Sequence, residues 1–239
     1  MPHTMVDTAV VLLSGGMDSA TALAMTIKEG HDVIGLSFDY GQRHRKEIDA
    51  AARVAKHFHV GDHRIVTIDL SPIGGSALTD LRIRVPEQRR IEEIGRGIPI
   101  TYVPARNTIL LAYALGLAEA TAARSIVIAA NQLDYSGYPD CRPEYYAAFR
   151  EVARLGTKRG VEGDVIELRT PLIHMSKADI VREGEELGVP WELTWSCYLG
   201  GARACGVCDS CQLRLKGFRE AGVKDPLPYA SRRRHATNA

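Results

Sequence analysis

A short polar turn at residues 13–19 contains the first side chains of this chain that could do chemistry. It joins an apolar, β-branched run at residues 8–13, which predicts a buried strand, to an expected helix at residues 20–28. Gly15 and Gly16 allow the backbone to turn sharply and to approach a ligand closely. The free N–H groups and positive dipole end of the helix would face that ligand, so the turn predicts an anion-binding site.

Three polar side chains complete this turn. Ser14 and Ser19 add hydroxyl donors, and Asp18 adds a carboxylate suited to Mg²⁺. The Ser-Gly-Gly-x-Asp-Ser pattern lacks the Gly-Lys-Ser/Thr ending of a Walker loop. It resembles the pyrophosphate loop of ATP pyrophosphatases, which split ATP into AMP and pyrophosphate. An ordinary tight turn between strand and helix is the alternative, and the two serines and the aspartate argue against it.

Cysteines form the second group with chemical potential, because four of the five lie between positions 197 and 211. Cys197, Cys205, Cys208 and Cys211 offer four thiolates, which saturate a tetrahedral Zn²⁺ and leave no open position. An iron–sulfur cluster and a redox-active Cys-x-x-Cys pair are the alternatives, and both lack their usual context here. The spacing predicts a structural zinc site, whereas Cys141 is expected to be a pocket wall or inert.

Alternating strands and helices must position these residues. Apolar runs predict strands at residues 8–13, 32–38, 64–70, 98–103, 125–130 and 165–169. Amphipathic or apolar segments predict helices at residues 20–28, 47–59, 108–120, 143–155, 177–187 and 209–221. The β-α-β-α-β order predicts an α/β fold with a doubly wound, mainly parallel sheet and right-handed crossovers.

Polar residues follow several of these strands, where ligands of open α/β sheets bind. Residues 39–44 could form a nucleotide rim or an ordinary solvent-facing loop. Arg106 lies just before a helix start and could reach phosphate or a carboxylate, whereas Asn107 is expected to cap that helix. Lys177 lies in the first turn of a helix opened by a Ser176–Asp179 capping box, and a cation tolerated there suggests a nearby anion.

The densest polar stretch is residues 131–144. Its acids, arginine and tyrosines suit recognition of a flat polar ring, because tyrosines stack and carboxylates accept hydrogen bonds from ring amino and imino groups. The 71–97 segment interrupts the strand–helix rhythm, and a flexible loop is preferred there over a lid.

Composition and charge describe a globular chain. The 239 residues carry a formal net charge of +1, so no global field points to nucleic acid or to a membrane. No signal peptide opens the chain and no apolar stretch is long enough to span a bilayer, so a cytoplasmic location is expected. We expect a nucleotide-binding domain at residues 1–190, a small cysteine segment at 191–230 and a disordered basic tail at 231–239.

The motifs taken together resemble the 7-cyano-7-deazaguanine synthase family. They occur in order at residues 14–19, 37–44, 103–107, 134–144, 169–172, 176–177 and 195–211. The resemblance therefore covers residues 10 to about 229. The glycine turn alone indicates only the wider pyrophosphatase group, whereas the 134–144 segment and the four cysteines indicate this family. It implies a Rossmann-like sheet of the adenine nucleotide alpha hydrolase type.

The resemblance also implies the reaction. Substrates would be 7-carboxy-7-deazaguanine, ammonia and ATP with Mg²⁺, and products would be the nitrile, AMP and pyrophosphate. We expect nucleotide contacts from Leu13, Ser14, Gly15, Gly16, Met17, Asp18, Ser19, Ala20, Leu36, Phe38 and Arg43. Catalysis by positioning and electrostatics is expected from Asp18, Lys177 and Arg106, and contacts to the deazaguanine from Asp134, Tyr135, Asp140, Arg142 and Glu144. The partners would be small molecules and a second copy of the chain, with no direct nucleic acid.

Overall fold

One parallel sheet forms the centre of the protein. The structure is a computed structural model that describes residues 7–94, 96–131 and 137–230. Its strands are β1 (Thr8–Leu12), β2 (Asp32–Asp39), β3 (Asp62–Thr67), β4 (Ser125–Val127) and β5 (Glu167–Arg169). They lie in the order β3-β2-β1-β4-β5, and every neighbouring pair is parallel. This confirms the predicted α/β class.

Helices follow the strands along the chain. Those of the described residues are α1 (Met17–Lys28), α2 (Lys46–His57), α3 (Arg106–Ala120), α4 (Pro143–Gly156), α5 (Lys158–Val161), α6 (Lys177–Glu186) and α7 (Asp209–Ala221). Short 3-10 helices lie at Ser71–Ile73, Ile91–Glu93, Pro139–Cys141 and Trp191–Leu193. Among these described helices, none is long and apolar enough to cross a membrane.

The two faces of the sheet are both covered. Alternate residues of a strand point to opposite faces. Val10 and Leu12 of β1 belong to a core shared with α3 and α4, whereas Ala9 and Val11 belong to a core shared with α1 and α6. Helices on both faces of a parallel sheet define the doubly wound arrangement.

The sheet order creates a crevice beside β1. The chain runs from β1 outward to β2 and β3, and then crosses to the other side of β1 to form β4. In such sheets ligands bind outside the carboxyl ends of the strands at this reversal. The 13–19 turn follows β1 and residues 128–131 follow β4, so both lie at the crevice.

The cysteine segment packs against α2 and against the 71–97 segment. Ala77 and Val85 share a buried cluster with Ala50, Trp195 and the cysteines Cys197, Cys208 and Cys211. Glu87 forms an antiparallel bridge with Cys208, and the Gln88 N–H donates to the Val207 carbonyl over 2.8 Å. The 71–97 segment is therefore attached to the cysteine segment by main-chain hydrogen bonds.

Two local predictions around α3 are wrong. Residues 98–103 form no strand, and within them the Tyr102 N–H donates to the Pro99 carbonyl over 2.9 Å in a turn. Asn107 does not cap α3, because that helix begins at Arg106 and its N-cap is Ala105, with a φ of 53°. The cap comes from a distant segment: the Asp140 carboxylate accepts the Asn107 N–H over 3.0 Å. Such a tertiary cap leaves no local sequence pattern.

Candidate active site

The 13–19 turn is held in shape by its own serines. The Ser14 and Ser19 hydroxyls lie 3.0 Å apart, and the Ser19 hydroxyl donates to the Gly16 carbonyl over 3.1 Å. Gly15 has a φ of 84° and packs against the first turns of α2. Helix α1 begins at Met17, three residues before the expected start, so Asp18 lies in its first turn. The N-cap Gly16 has no side chain, and this leaves the helix end open to an anion.

Asp18 joins the turn to a second helix. One of its carboxylate oxygens, Oδ2, lies 2.6 Å from Lys177 Nζ and accepts a hydrogen bond from Asn131 Nδ2 over 3.3 Å. The other oxygen, Oδ1, is buried and has no hydrogen-bond partner among the described residues. The predicted capping box between Ser176 and Asp179 is present and fixes the start of α6. The site therefore brings together the carboxylate and the ammonium that the sequence analysis singled out.

A cavity of about 250 Å³ lies between this turn and the polar ends of β2 and β4. Leu36, Phe38 and Leu78 form an apolar part of its wall. Tyr40, Glu47, Arg106 and Tyr138 supply polar atoms elsewhere in the wall. A concave apolar site with few polar groups is typical of small-molecule binding.

The structure divides the expected nucleotide contacts into two sets. Those that line the cavity are Leu13, Ser14, Asp18, Ser19, Leu36, Phe38 and Arg43. Gly15, Gly16, Met17 and Ala20 shape the turn and the start of α1 without appearing in the cavity wall. The Arg43 guanidinium donates to the carbonyls of Ala77, Leu81 and Ile83, so it also fixes the 71–97 segment.

Arg106 lies on the side of the cavity formed by Tyr40. Its guanidinium carbon is 5.8 Å from the centre of the Tyr40 ring, and its Nε donates to Asn107 Oδ1 over 3.3 Å. Burial raises the pKa of the Tyr40 phenol, and the charge of Arg106 opposes this shift. Arg106 is thus a cation in the cavity wall, as its position at the helix start predicts.

The expected deazaguanine contacts have a different distribution. Asp134 and Tyr135 lie outside the described residues. The Asp140 carboxylate is buried and accepts the Asn107 N–H, and Asp140 is not part of the cavity wall. Arg142 and Glu144 are exposed and also lie outside that wall. Tyr138 and Cys141 of the 131–144 segment line the cavity instead, together with Tyr146 of α4.

Cys141, predicted to be a pocket wall or inert, lines the cavity. Its side chain is buried, and Asn107 Nδ2 donates to its sulfur over 3.1 Å. Sequence reasoning did not single out Glu47 and Tyr198 as cavity residues. Glu47 lies in the first turn of an amphipathic helix, where acidic residues are common, so no local signal separates it from a solvent-exposed carboxylate.

The four clustered cysteines come together as predicted. Their sulfur atoms lie within 4.8 Å of one another, close enough to hold one metal ion. The N–H groups of Leu199 and Cys205 donate to Cys197 Sγ over 3.4 and 3.3 Å. Hydrogen bonds from Cys208 and Cys211 lower the pKa of the Cys197 thiol. Donors around a sulfur favour the thiolate, which is the form that binds metals.

The cysteine segment contacts the 13–19 turn directly. The Trp195 N–H donates to the Gly15 carbonyl over 2.8 Å. Gly217 of α7 allows a close approach to Lys177, because an added Cβ would lie 2.7 Å from the Lys177 Cβ. Both the turn and its lysine are therefore positioned in part by the cysteine segment.

The fold and the site define a doubly wound, parallel α/β protein with a candidate anion-binding turn at the reversal of its sheet. A serine- and glycine-rich turn, a Lys–Asp pair and a cavity meet at the reversal of a doubly wound sheet. The chain belongs to the family described as "Queuosine biosynthesis protein QueC", whose model matches residues 8–222.

Similar proteins extend over nearly the whole chain. A 7-cyano-7-deazaguanine synthase from Nostoc punctiforme is 57% identical over 222 residues, which cover 93% of this chain and 99% of that protein. One from Thermosynechococcus vestitus is 58% identical over 222 residues, covering 93% of this chain and 95% of that protein. A solved structure described as NMN synthetase from Francisella tularensis has a TM-score of 0.50 at 14% identity. It covers 93% of this chain and 79% of that chain, and this similarity shows the fold alone.

Proposed function

We propose that this protein converts 7-carboxy-7-deazaguanine, ammonia and ATP into 7-cyano-7-deazaguanine, AMP and pyrophosphate. The observation that carries the proposal is the 57% identity to a 7-cyano-7-deazaguanine synthase over 93% of the chain. The family model matches residues 8–222, which include the Asp18–Lys177 pair and the residues that line the cavity beside it.

The chemistry of the substrate requires two activations. A carboxylate is a poor electrophile, and attack of its oxygen on the ATP α-phosphate forms an acyl adenylate and releases pyrophosphate. Ammonia then displaces AMP and forms an amide. The amide oxygen attacks the α-phosphate of a second ATP and releases pyrophosphate, and loss of AMP and two N–H protons then leaves the nitrile. Two ATP molecules are therefore used for each nitrile.

The phosphate-binding turn supplies the electrostatic part of catalysis. Open N–H groups at the start of α1 and the ammonium of Lys177 face the position where pyrophosphate charge develops. The buried Asp18 Oδ1, which lacks a hydrogen-bond partner among the described residues, fits a ligand for the Mg²⁺ that accompanies ATP. Arg106 binds a substrate carboxylate or phosphate across the cavity.

We also propose the remaining contacts. Leu36 and Phe38 pack against the adenine from the apolar wall. The segment that contains Asp134, Tyr135, Asp140, Arg142 and Glu144 contacts the deazaguanine, with Asp140 acting through the start of α3. Cys197, Cys205, Cys208 and Cys211 hold a structural Zn²⁺, since four sulfurs leave no open ligand position.

The organisation of the whole protein is part of this proposal. Residues 1–190 form the nucleotide-binding domain, residues 191–230 form the zinc segment, and residues 231–239 lie outside the described part of the chain. The family resemblance supports a cytoplasmic homodimer that acts on free small molecules and does not bind nucleic acid directly. Sedimentation of the purified protein measures its oligomeric state.

Mass spectrometry of a complete reaction tests the function. Purified protein is mixed with ATP, Mg²⁺, ammonium and 7-carboxy-7-deazaguanine, and the nitrile and AMP are quantified. We expect two AMP for each nitrile. Formation of neither product would overturn the proposal. The Asp18→Asn variant, whose side chain has nearly the same size, is expected to lose AMP release and keep its fold and metal content.

A further inference from the structure

The proposed reaction leaves protons on nitrogen that some group must accept. When ammonia attacks the acyl adenylate, the new C–N bond leaves a positively charged nitrogen. That nitrogen must lose a proton before AMP departs, because otherwise ammonia is the better leaving group. A general base in the cavity is therefore needed, and this inference rests on the proposed function.

Two carboxylates line the described part of the cavity, and their surroundings differ. Asp18 is held by Lys177 and Asn131 through its Oδ2. Glu47 lines the same cavity, yet within the described ranges its carboxylate takes part in no hydrogen bond and in no ion pair shorter than 4.0 Å. The Asp18 carboxylate therefore pairs with Lys177 on the side of the cavity where we propose that phosphate binds. The Glu47 carboxylate is available to a small ligand.

The position of Glu47 relative to the turn is fixed by close backbone packing. Glu47 lies in the first turn of α2. A Cβ added to Gly15 would lie 2.3 Å from the Glu47 carbonyl oxygen and 2.5 Å from the Ala51 nitrogen, so the two backbones are in direct contact. The start of α2 therefore lies beside the turn, and Glu47 lines the same cavity as Ser14, Asp18 and Ser19 of the turn.

The surroundings of Glu47 suit a base that works near neutral pH. Burial raises the pKa of its carboxyl to about 7, and the charge of Arg106 opposes the rise. Other candidates in the wall are less suitable. Burial raises the pKa of the Tyr40 phenol, and the Cys141 sulfur accepts a hydrogen bond from Asn107.

We propose that the Glu47 carboxylate is the base that accepts the proton from nitrogen as ammonia replaces AMP. The C–N bond forms, and one N–H proton passes to a Glu47 oxygen. The C–O bond to AMP then breaks and its electron pair leaves with AMP. In the second half of the reaction, the adenylated amide loses its two N–H protons one after the other. Glu47 releases each proton to water before it accepts the next. It accepts the first to give a neutral adenylated imidate, and the second as the C–O bond breaks and its electron pair leaves with the second AMP.

The test separates activation from proton transfer. The Glu47→Gln variant keeps the size of the side chain and removes the base. Adenylation is measured by exchange of labelled pyrophosphate into ATP in the presence of 7-carboxy-7-deazaguanine and absence of ammonia. Amide and nitrile formation are measured with ammonium. Asp49→Asn, an exposed acid two residues away in the same helix, is the matched control.

We expect Glu47→Gln to retain pyrophosphate exchange and to lose about 10²-fold or more in the ammonia-dependent rate. Retained exchange also shows that the variant is folded. Hydroxylamine is a weaker base than ammonia, so its adduct loses a proton to water more readily. The deficit of the variant should therefore be much smaller with hydroxylamine, measured as hydroxamate. Asp49→Asn should match the wild type throughout.

Three results would overturn the role of Glu47. They are an unchanged ammonia-dependent rate, an equal loss of pyrophosphate exchange, and the same deficit with hydroxylamine as with ammonia. A wild-type protein that exchanges pyrophosphate but forms no amide or nitrile would instead contradict the proposed function, so the two failures are distinguishable.

Discussion

Lys177 and Asp18 form the ion pair that brings a positive charge to the 13–19 turn, where we propose that phosphate binds. Their charged atoms lie 2.6 Å apart and both side chains are largely buried. We expect Lys177→Met to lower the rate of pyrophosphate release by about 10²–10³-fold, because a preorganised cation no longer faces the developing charge. A pyrophosphate-release assay measures this. Lys28→Met removes an exposed lysine at the end of α1 and should leave the rate unchanged. A Lys177→Met variant with wild-type turnover would contradict the assigned role.

The raised pKa of Glu47 predicts how the rate of amide formation from ammonia depends on pH. Among the described residues, the ionisable groups that act on it are Arg106 of α3, Tyr40 after β2 and Cys197 of the cysteine segment, and burial raises its pKa to about 7. Only the ionised carboxylate accepts a proton, so the rate should fall as pH decreases through about 7. Amide formation is measured at constant free ammonia.

The control for this pH profile is internal. Pyrophosphate exchange measured over the same range reports the activation step alone. In Glu47→Gln the decrease assigned to this carboxyl should be absent from the ammonia step. An identical decrease in the variant would assign it to another group.

The turn and the start of α2 act as one packed element, and Gly15 allows their contact. We expect Gly15→Ala to lower the free energy of unfolding and to weaken ATP binding, since its Cβ would overlap the Glu47 carbonyl and the Ala51 nitrogen. Backbone strain at a φ of 84° costs about 1–3 kcal/mol, and overpacking costs a further ~1–3 kcal/mol. Thermal melting and ATP titration measure the two effects.

Gly30→Ala separates these contributions. Gly30 has a similar φ of 88°, but nothing lies within 4 Å of an added Cβ. This variant should show the backbone strain alone and retain ATP affinity. Equal losses in both variants would show that contact with α2 does not explain the effect at Gly15.

At the scale of single helices and strands, local sequence patterns predict the regular elements well. The capping box at Ser176 and the helix at 209–221 occur as expected, because their signals lie within a few residues. The start of α3 was not predictable in this way. The Asp140 carboxylate accepts the Asn107 N–H in the first turn of α3. Residues 98–103 are mostly apolar, as in a buried strand, yet they form none. Contacts between distant segments decide both features.

In the candidate active site, too, some residues are marked by a local sequence motif, whereas others are brought in only by packing between distant segments. Asp18 and Lys177 were identifiable because each stands at a helix start with its own motif. Glu47 was not, since only the packing of α2 on Gly15 brings it into the cavity wall. Arg43 follows a strand as a ligand contact would, yet much of its guanidinium is used to hold three backbone carbonyls.

At the scale of the whole molecule, the cysteine segment is connected to the proposed nucleotide site. Trp195, two residues before Cys197, donates its main-chain N–H to the Gly15 carbonyl. Arg214 of α7 is buried with Asp225, and its Nε and Asp225 Oδ2 lie 2.8 Å apart. Metal binding, folding of this segment and the shape of the turn should therefore change together.

Metal removal tests this coupling. A chelator that extracts the proposed Zn²⁺ should increase amide hydrogen exchange in residues 195–211 and in the bridged residues Glu87 and Gln88. Exchange in β1 and α3 should change little, because their residues belong to the hydrophobic clusters on the two faces of the sheet and not to the cluster that contains the cysteines. Loss of the Trp195–Gly15 hydrogen bond removes about 1 kcal/mol, so ATP affinity should fall by several-fold to about tenfold. Zn²⁺ added back should restore both properties. Unchanged ATP affinity in protein with an unprotected 195–211 segment would show that the turn keeps its shape without the cysteine segment.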